Sequence, residues 1–351
     1  MEKRVIFVTG ATGFIGGRVI EKLSNDNKNT VIAGVHNWSN AARIGRFPII
    51  MRHCDVLNLP SLKKTLNGVT HIIHCAAGSD EIIIKGTSNI LNAAMGLKVK
   101  RLINLSSAAV YGKISGLIDE SVVPNPIDQY GKAKLCGEKE CFKYMLQRVP
   151  IVILRPSIVY GPFSQKWTIG IGRQILRKKI GLSSGFEGKC NLLYVDDLID
   201  AIFLSLHKEE AVSETFNVNG PEIVSWNDYF RIFNRLLSSE ALISIKHTEY
   251  LRLMVAANFL GPVKIAAKLA LAKQESLIRF IYRRFQLMRK IMDGVENEIK
   301  LNINSSDLRL FQLRAIYETK KINRVLKFKP RTSIETGLKK TIAWMKHVEI
   351  I

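Results

Sequence analysis

Residues 5–16 read V-I-F-V-T-G-A-T-G-F-I-G, an apolar run that passes into three glycines. The run predicts a buried strand, and apolar side chains recur at helical spacing after the glycines. Gly10 permits a sharp turn, Gly13 lets the backbone approach a bound group, and Gly16 lets the helix pack against the strand. A strand that turns through glycines into a helix presents free N–H groups and a positive dipole end to a phosphate. We therefore expect this stretch to bind a dinucleotide.

The composition is that of a globular protein with one large domain or two lobes. The chain has 351 residues, of which 47% are hydrophobic, enough to bury a sizeable core. Its apolar runs are shorter than the roughly eighteen residues of a transmembrane helix. The N-terminus leads directly into the first strand, which leaves no room for a signal peptide. The five scattered cysteines suit neither a disulfide framework nor a zinc site. These features predict a cytoplasmic protein that binds no metal.

The charge is strongly basic. Fifty-two basic and 30 acidic residues give a net charge of +22, which favours anionic partners such as nucleotides, nucleic acid or an acidic membrane surface. No zinc finger and no basic motif interleaved with aromatic residues accompanies this charge, so we expect no nucleic-acid partner. A basic surface on an ordinary enzyme is the simplest interpretation.

Apolar strands alternate with helical patterns through the first half of the chain. This predicts an α/β fold with a Rossmann-type, doubly wound parallel sheet. The further predicted strands are Val31–Val35, Ile49–Val56, Ile72–Ala77, Leu102–Ser107 and Ile151–Leu154. The longest predicted helix covers about Tyr130–Leu146. We expect a dinucleotide-binding domain at 1–162 plus about 192–220, and a smaller, mostly C-terminal substrate-binding lobe at 163–191 and 221–351.

Sheets of this kind bind ligands at the carboxyl ends of their strands. Asp55 and Val56 end the third predicted strand, where a carboxylate can accept a hydrogen bond from an adenine amino group. A surface aspartate that caps the next helix is an equally good interpretation. Ala76 and Ala77 end the fourth strand, and their small side chains leave room for a cofactor.

Tyr130 and Lys134 are four residues apart, on one face of the predicted helix. A phenol with an ordinary pKa near 10 is a poor base at neutral pH. A nearby ammonium and a cationic nicotinamide ring both favour the phenolate and lower that pKa. The phenolate can then take the proton of an alcohol whose carbon gives a hydride to nicotinamide, while Ser107 hydrogen-bonds the same oxygen. Such a pair also occurs by chance on solvated helix faces, but here the glycine turn and the fifth strand precede it in the expected order.

These stretches resemble the extended short-chain dehydrogenase/reductase family, which includes NDP-sugar epimerases, dehydratases and reductases. The matching motifs are T-G-A-T-G-F-I-G (9–16), S-S-A-A-V-Y-G (106–112), Y-G-K-A-K (130–134), R-P-S-I-V-Y-G-P (155–162) and Y-V-D-D-L (194–198). The resemblance covers nearly the whole chain except about 243–304. It implies a homodimer formed through paired helices and a place in polysaccharide biosynthesis.

The resemblance also implies roles for individual residues. Tyr130 would be the acid/base, Lys134 would bind the nicotinamide ribose, and Ser107 would bind the reacting oxygen. The remaining implied contacts to NAD or NADP are Gly10, Thr12, Gly13, Phe14, Ile15 and Gly16 at the pyrophosphate, Asp55 and Val56 at the adenine, Pro156 and Ser157 near the nicotinamide, and His36, Ala76 and Ala77.

Two departures from the family narrow the reaction and the cofactor. Members that dehydrate or decarboxylate their substrates carry an acidic residue directly after the serine or threonine, where this chain has Ala108 and Ala109. Oxidation, reduction and epimerisation by transient oxidation remain. NAD-type members end the second strand with an acidic residue, whereas here it ends in Val35-His36-Asn37. His36 stands about where NADP-type members place an arginine, and Arg43 can assist it, so the choice between NAD and NADP stays open.

Two further departures weaken the case for a sugar nucleotide. Gly78–Glu81 leads almost directly into the next helix, where family epimerases have a longer loop that touches the sugar. Asn191-Leu192-Leu193 replaces an arginine that often binds a nucleotide phosphate, for which Lys189 is a substitute.

A basic, amphipathic insertion at about 245–300 matches no family motif. A basic amphipathic helix can lie in the interface of an anionic membrane, which would place the protein at the periphery of the inner membrane surface. A substrate-domain lid or a dimer-contact helix is the simpler interpretation.

The sequence therefore predicts an NAD(P)-dependent oxidoreductase or epimerase acting on a secondary alcohol or ketone of a nucleotide- or lipid-linked sugar. The short loop and the basic insertion leave a second hypothesis open, a reductase or 3-hydroxy dehydrogenase of a bulky apolar substrate resembling a steroid or flavonoid. A third is a non-catalytic NAD(P)-binding scaffold, against which the presence of both Tyr130 and Lys134 argues.

Overall fold

The computed structural model describes residues 4–25, 28–177, 181–184, 186–240, 242–244, 246, 248 and 305–351. Apart from two isolated residues, the basic insertion predicted at about 245–300 lies outside these ranges. The chain divides into two compact units. The first comprises Met1–Ser164, Asn191–Ile223 and Ala315–Gly337, and the second Gln165–Cys190, Val224–Arg314 and Leu338–Ile351.

The strands are β1 (Arg4–Thr9), β2 (Asn29–Val35), β3 (Ile50–His53), β4 (His71–His74), β5 (Arg101–Leu105), β6 (Gly116–Ile118), β7 (Ile151–Pro156), β8 (Ile158–Tyr160), β9 (Gly181–Leu182), β10 (Lys189–Tyr194), β11 (Thr215–Val218), β12 (Ile223–Ser225), β13 (Ile243–Ser244) and β14 (Ala315–Tyr317). The α-helices are α1 (Phe14–Leu23), α2 (Leu59–Thr65), α3 (Asp80–Leu97), α4 (Gln129–Leu146), α5 (Ile171–Leu176), α6 (Val195–His207), α7 (Trp226–Leu236), α8 (Ser305–Phe311), α9 (Lys320–Leu326) and α10 (Ile334–His347). Within the described ranges, no helix combines the length and apolarity needed to cross a bilayer.

The main sheet has seven parallel strands in the order β11-β7-β5-β4-β1-β2-β3. From β1, the chain adds β2 and β3 on one side and then returns to add β4, β5, β7 and β11 on the other. Open α/β sheets bind ligands at such a reversal, in the crevice beside the carboxyl ends of the strands. The predicted Rossmann-type, doubly wound sheet is confirmed, and the crevice lies beside β1 and β4.

Several details of the sheet differ from the sequence prediction. β4 ends at His74 rather than Ala77, and β5 ends at Leu105 rather than Ser107. The four-residue strand β11 has no counterpart among the predicted strands, and it joins the sheet by pairing with β7. The third strand ends at His53 rather than Val56. The cause is a turn in which Asp55 Oδ1 accepts a hydrogen bond of 2.9 Å from the Leu57 N–H.

β1 is an interior strand of the sheet, between β4 and β2, and its side chains are deeply buried. Ile6, Phe7 and Val8 have no exposed surface, and Phe7 shares a core cluster with Ile32 on β2 and Ile72 on β4. Burying an apolar side chain of this size stabilises a fold by roughly 1.5–3 kcal/mol. The glycine turn that follows β1 therefore starts from a rigid support.

The second unit is built around aromatic side chains on α7. Trp226 and Phe230 are fully buried, and the rings of Trp226 and Phe311 lie 4.5 Å apart between centroids. A capping box starts the helix, because Ser225 Oγ accepts the Asp228 N–H at 3.1 Å while Asp228 Oδ2 accepts the Ser225 N–H at 3.2 Å. This unit also contains the parallel pair β9–β13.

Candidate active site

The glycine turn between β1 and α1 is closed by its own backbone. Gly10 has φ +61°, a left-handed conformation that glycine adopts freely, and a Cβ there would lie 2.9 Å from the Cα of Ala76. The Gly13 N–H donates to the Gly10 carbonyl oxygen at 2.9 Å. A Cβ on Gly16 would overlap the same carbonyl oxygen. The turn therefore requires glycine at positions 10 and 16.

The first turn of α1 fits a phosphate. Gly13 is its N-cap, and in the part of the chain that the structure describes no side chain caps the helix and no acidic residue lies in its first turn. The N–H groups there lack intrahelical partners, and the helix dipole is positive at this end. The predicted cofactor residues Thr12, Phe14 and Ile15 lie half-buried in this turn. The residues present thus fit the pyrophosphate of a dinucleotide.

Arg43 adds positive charge beside the glycine turn. Its Nη1 donates to the carbonyl oxygens of Gly13 and Phe14, at 3.3 Å each. Its guanidinium lies 3.7 Å from the centroid of the Phe163 ring. Burial lowers the pKa of Arg43 to about 10, and the charge of Glu21 opposes this effect. Arg43 is therefore cationic at neutral pH and lies where the sequence predicted that it could assist at the cofactor.

A buried hydrogen-bond chain connects the glycine turn to the end of β4. Thr9 Oγ1 accepts the N–H groups of Cys75 and Ala76, at 3.1 Å each. The same oxygen lies 2.8 Å from Nδ1 of His74. Because Thr9 already accepts two N–H groups, its hydroxyl proton is assigned to the bond with Nδ1, and the ring proton of His74 is assigned to Nε2. That nitrogen lies 3.2 Å from Oγ1 of Thr87. Burial lowers the pKa of His74 to about 3, so the ring is neutral.

Other predicted cofactor residues lie along the same edge of the sheet. His36 is exposed after β2, and its ring centroid lies 6.2 Å from that of His53 at the end of β3. Asp55 is half-buried and Val56 is buried. Asp55 is not the cap of α2, because Asn58 caps that helix.

The remaining predicted cofactor residues lie at the ends of β4 and β7. Ala76 and Ala77 follow β4, Pro156 is the last residue of β7, and Ser157 comes next. Ala76 is half-buried and Ala77 is exposed, whereas Pro156 is buried at the end of β7. Ser157 Oγ donates to Oδ1 of Asn219 at 2.8 Å. These residues lie at the carboxyl edge of the sheet, and their contacts to a cofactor stay predictions.

Tyr130 and Lys134 lie one turn apart at the start of α4. Asp128 caps this helix, its Oδ1 accepting the Gly131 N–H at 2.7 Å. Lys134 Nζ lies 5.9 Å from the centroid of the Tyr130 ring. The same nitrogen donates to the carbonyl oxygen of Leu105, the last residue of β5, at 2.7 Å. The lysine thereby attaches the start of α4 to the sheet.

Ser107 meets Tyr130 from the side of the sheet. It follows β5, and its Oγ accepts the Ala109 N–H at 3.2 Å at the start of a short 3₁₀ helix. The Ser107 side chain also acts on the Tyr130 phenol, whose pKa it lowers. The structure thus brings together Ser107, Tyr130 and Lys134, the three residues predicted to be catalytic.

The electrostatics of the site differ in part from the expectation. Burial raises the pKa of the Tyr130 phenol, the Ser107 side chain opposes the rise, and the charge of Asp128 adds to it. Tyr130 as a whole is 45% exposed. Burial also lowers the pKa of Lys134 to about 8. Two positive charges, the Lys134 ammonium and a nicotinamide ring, were expected to lower the phenol pKa. The ammonium does not lower it, because it lies 5.9 Å from the ring centroid of Tyr130 and burial disfavours the ammonium itself.

Three contributors to the site were not predicted, namely the Leu105 carbonyl, Asp128 and His74. An aspartate three residues before Gly131 is a recognisable N-cap signal. The other two act through contacts between residues far apart in the sequence, which no local pattern reveals. In the described ranges, no group of three or more His, Cys, Asp or Glu side chains could hold a metal ion.

A parallel sheet with a glycine turn suited to a phosphate after β1, and with Ser107, Tyr130 and Lys134 at the same edge, defines a dinucleotide-binding protein of the Rossmann type. The NAD dependent epimerase/dehydratase family matches residues 6–219. The chain belongs to this family, and the resemblance found in the motifs is confirmed.

Individual relatives support the assignment. The chain is 30% identical over 250 residues to Uncharacterized UDP-glucose epimerase YtcB of Bacillus subtilis, covering 63% of this chain and 78% of the relative. It is 26% identical over 235 residues to the N-acetyl-alpha-D-glucosaminyl-diphospho-ditrans,octacis-undecaprenol 4-epimerase of Escherichia coli, covering 62% of this chain and 68% of the relative. Among solved structures, UDP-glucuronic acid 4-epimerase from Bacillus cereus in complex with UDP-glucuronic acid and NAD matches with a TM-score of 0.72 at 20% identity, over 98% of this chain and 99% of that one. At this identity the structural likeness concerns the fold.

Proposed function

We propose that the protein is an NAD(P)-dependent epimerase or oxidoreductase of a sugar carried on a diphosphate, with epimerisation at a secondary alcohol as its main reaction. The observation that carries the proposal is the hydrogen bond from Lys134 to the Leu105 carbonyl oxygen, which holds Tyr130, one helical turn before Lys134, beside the strand that leads into Ser107. The two curated relatives described above are both named as epimerases of diphosphate-linked sugars, which supports the substrate class.

In this reaction Tyr130 exchanges a proton with the substrate hydroxyl. Its phenolic oxygen takes the proton during oxidation and returns it during reduction. Ser107 Oγ hydrogen-bonds the same substrate oxygen and orients it. The dinucleotide, when bound, supplies the acceptor and donor for the hydride of the carbinol carbon. Lys134 holds the start of α4 against the end of β5 through its bond to the Leu105 carbonyl oxygen, and so positions Tyr130 for this exchange.

The residues after Ser107 favour epimerisation over dehydration. Ala108 is buried and Ala109 is half-buried, and neither side chain can donate or accept a proton. Elimination of water needs a second acid/base beside the one that serves the oxidation. With Tyr130 as the acid/base, the site is suited to transient oxidation followed by reduction.

The cofactor specificity is relaxed in this proposal, so that the protein accepts NADP as well as NAD. In the related sheets that bind NAD, a carboxylate after the second strand binds the ribose hydroxyls. Here that position is His36, which is exposed, and the side chain of Asn37 instead accepts the Ser39 N–H at 3.0 Å. His36 and Arg43 are the basic groups that could accept a 2′-phosphate.

The test is a direct assay of epimerisation. The purified protein is incubated with NAD and, separately, with UDP-glucose, UDP-N-acetylglucosamine and UDP-glucuronic acid, and the 4-epimers are separated by chromatography. We expect interconversion of at least one pair, its loss in Tyr130→Phe, and its retention in Tyr144→Phe, a change at a tyrosine of the same helix outside the site. Full activity of Tyr130→Phe would contradict the proposal.

A lipid-linked sugar is a second candidate substrate, favoured by exposed apolar side chains. Leu117, Val123 and Ile127, which precede Tyr130 in the sequence, are 64%, 81% and 52% exposed. The connection from β4 to α3 spans only residues 75–79, as predicted, which suits a substrate larger than a sugar nucleotide. Undecaprenyl-diphosphate-linked N-acetylglucosamine in detergent is the probe. Its conversion in preference to the nucleotide sugars would select this candidate, whereas reduction of bulky apolar ketones alone would favour the steroid- or flavonoid-like alternative.

The predicted homodimer is assigned to α3 and α4. These helices pack on each other and expose Met95, Phe142 and Leu146, which are 41%, 41% and 89% exposed. A second copy would cover these side chains. Sedimentation velocity is expected to give a dimer for the wild-type protein and a monomer for Leu146→Glu.

The predicted contact of the segment at 245–300 with anionic membranes is tested separately, by co-sedimentation with anionic vesicles at low salt.

A further inference from the structure

Three motif residues to which the proposed reaction gives no role lie in one buried cluster with a glutamate of α4. The four residues are Ser106, Tyr111, Glu138 and Arg155, which are 3%, 1%, 0% and 3% exposed. Ser106 and Tyr111 belong to the stretch after β5, Arg155 lies on β7, and Glu138 lies on α4. Three separate stretches of sequence therefore meet at this point.

The cluster is a continuous hydrogen-bond network. Arg155 binds Glu138 through two bonds, Nε to Oε1 at 2.9 Å and Nη2 to Oε2 at 2.7 Å. Ser106 Oγ donates to Oε1 of the same carboxylate at 2.5 Å. Arg155 Nη1 donates to the Tyr111 hydroxyl at 2.9 Å. The Tyr111 hydroxyl in turn donates to Oδ1 of Asn217 on β11 at 2.8 Å. Each charged group is thus paired.

The electrostatics agree with this geometry. Burial by itself lowers the pKa of Arg155, but the hydrogen bonds and charge of Glu138 outweigh it and raise the pKa. Burial raises the pKa of Tyr111, against the charge of Arg155. The network therefore contains one anion, one cation and neutral hydroxyl groups. A buried ion pair is weak evidence for a contribution to stability, since apolar residues of the same volume often serve as well.

The position of Glu138 suggests what the network does. Glu138 lies one turn after Lys134 on α4, and Ser106 lies between Leu105 and Ser107. Lys134 donates to the Leu105 carbonyl, and Glu138 accepts from Ser106. Two consecutive residues at the end of β5 are thus bound to two consecutive turns of the helix that carries Tyr130.

We propose that Glu138, held by Arg155, is a positioning residue that through Ser106 sets the register of the end of β5 against α4, and thereby the distance between the Ser107 hydroxyl and the Tyr130 phenol. The inference rests on the proposed function for its catalytic consequence. Its structural consequence, the effect of Ser107 on the Tyr130 phenol, does not depend on which substrate the protein converts. Displacement by about 1 Å of a group that orients a reactant costs on the order of a hundredfold in rate.

The test is the substitution Ser106→Ala, with Ser205→Ala as the matched control. Ser205 is also a fully buried serine, and its Oγ donates to the Ala201 carbonyl oxygen within α6 at 2.8 Å. Each variant loses one buried hydroxyl that donates one hydrogen bond. Both are expected to have similar losses in melting temperature and unchanged dinucleotide affinity.

Two readouts separate positioning from a merely structural effect. The first is turnover per dinucleotide-binding site: for Ser106→Ala we expect kcat to fall roughly ten- to hundredfold with little change in KM, and for Ser205→Ala no change. The second is the pKa of Tyr130, followed by NMR of ¹³C-labelled tyrosine and assigned with Tyr130→Phe. Because Ser107 lowers this pKa, displacement of Ser107 in Ser106→Ala should raise it.

The outcomes are distinguishable. A higher Tyr130 pKa in Ser106→Ala alone supports the inference even when the wild-type protein converts none of the sugars tested, a result that would count against the proposed function only. An unchanged Tyr130 pKa in a folded Ser106→Ala protein overturns the inference, whatever the substrate. Equal changes of pKa in Ser106→Ala and Ser205→Ala also overturn it, because they would report a general loosening of the fold.

Discussion

Lys134 Nζ donates a hydrogen bond of 2.7 Å to the Leu105 carbonyl oxygen, which joins the helix of Tyr130 to the strand that leads into Ser107. The helix start that carries Tyr130 and the strand end that carries Ser107 are thereby joined by one contact. The same contact holds the ammonium in a place where it is 8% exposed, and burial lowers its pKa to about 8. Its charge is consequently sensitive to pH near neutrality.

The first prediction concerns the contribution of Lys134 to stability. Between the folded pKa of about 8 and the ordinary value of 10.5, the unfolded chain binds a proton that the folded protein has lost. The unfolding free energy contributed by this group therefore rises with pH across that window, by up to about 3 kcal/mol at about 1.4 kcal/mol per pH unit. Urea unfolding measures the free energy of unfolding of the wild type and of Lys134→Met. We expect the wild-type value minus the variant value to increase with pH across this window.

A control on the same helix sharpens the measurement. Lys132 is exposed on α4, so Lys132→Met should leave the pH dependence of the wild type intact. Parallel curves for the wild type and Lys134→Met between pH 8 and 10.5 would show that the lysine titrates normally.

The second prediction compares two glycines. In Gly16→Ala the new methyl group overlaps the Gly10 carbonyl oxygen, so we expect the turn to distort and dinucleotide affinity to fall at least tenfold. Gly96 lies in α3 with no atom within 4 Å of a Cβ placed there, and Gly96→Ala should stabilise the helix by about 0.5–1 kcal/mol. Calorimetric titration with NAD and thermal unfolding measure both effects. Tight binding by Gly16→Ala would contradict the phosphate-binding role of the turn.

The third prediction concerns cofactor choice. His36→Asp places a carboxylate after β2, where it can bind ribose hydroxyls and repel a 2′-phosphate. A hydrogen bond to a charged group contributes about 1.5–3 kcal/mol, so the ratio of NAD to NADP affinity should rise at least tenfold. Asn40→Asp adds the same charge at an exposed position nearby and serves as the control. An equal shift in both variants would mean that general electrostatics, rather than residue 36, sets the preference.

The parts of the fold that depend on local sequence were predictable. The buried β1, the glycine turn and α1 follow from residues close together in the chain, and the four-residue spacing of Tyr130 and Lys134 placed both on one helix face. The short strand β11 was not predicted, because four residues carry little periodicity and its burial comes from pairing with β7.

The parts of the site that the sequence did not predict depend on contacts between residues far apart in the chain. Thr9 and His74 meet across 65 positions of sequence, and Ser106 and Glu138 across 32. Neither contact has a spacing that a helix or strand would produce. The direction of the Tyr130 pKa shift could not be predicted from the sequence either, because the desolvation of its hydroxyl depends on the packing around it.

The last prediction concerns the protonation of His74. Its Nδ1 accepts the Thr9 hydroxyl proton in the assignment above, so NMR of ¹⁵N-labelled histidine should show Nδ1 unprotonated and Nε2 protonated, with the signal identified by its absence in His74→Gln. Burial lowers the pKa of His74 to about 3, and this state should persist as the pH falls well below the ordinary value of 6.5. The unfolded chain binds a proton in that range and the folded protein does not, so the unfolding free energy from this group should decrease as the pH falls. A ring protonated on both nitrogens at pH 5–6 would contradict the assigned hydrogen-bond chain, since Nδ1 could then no longer accept from Thr9.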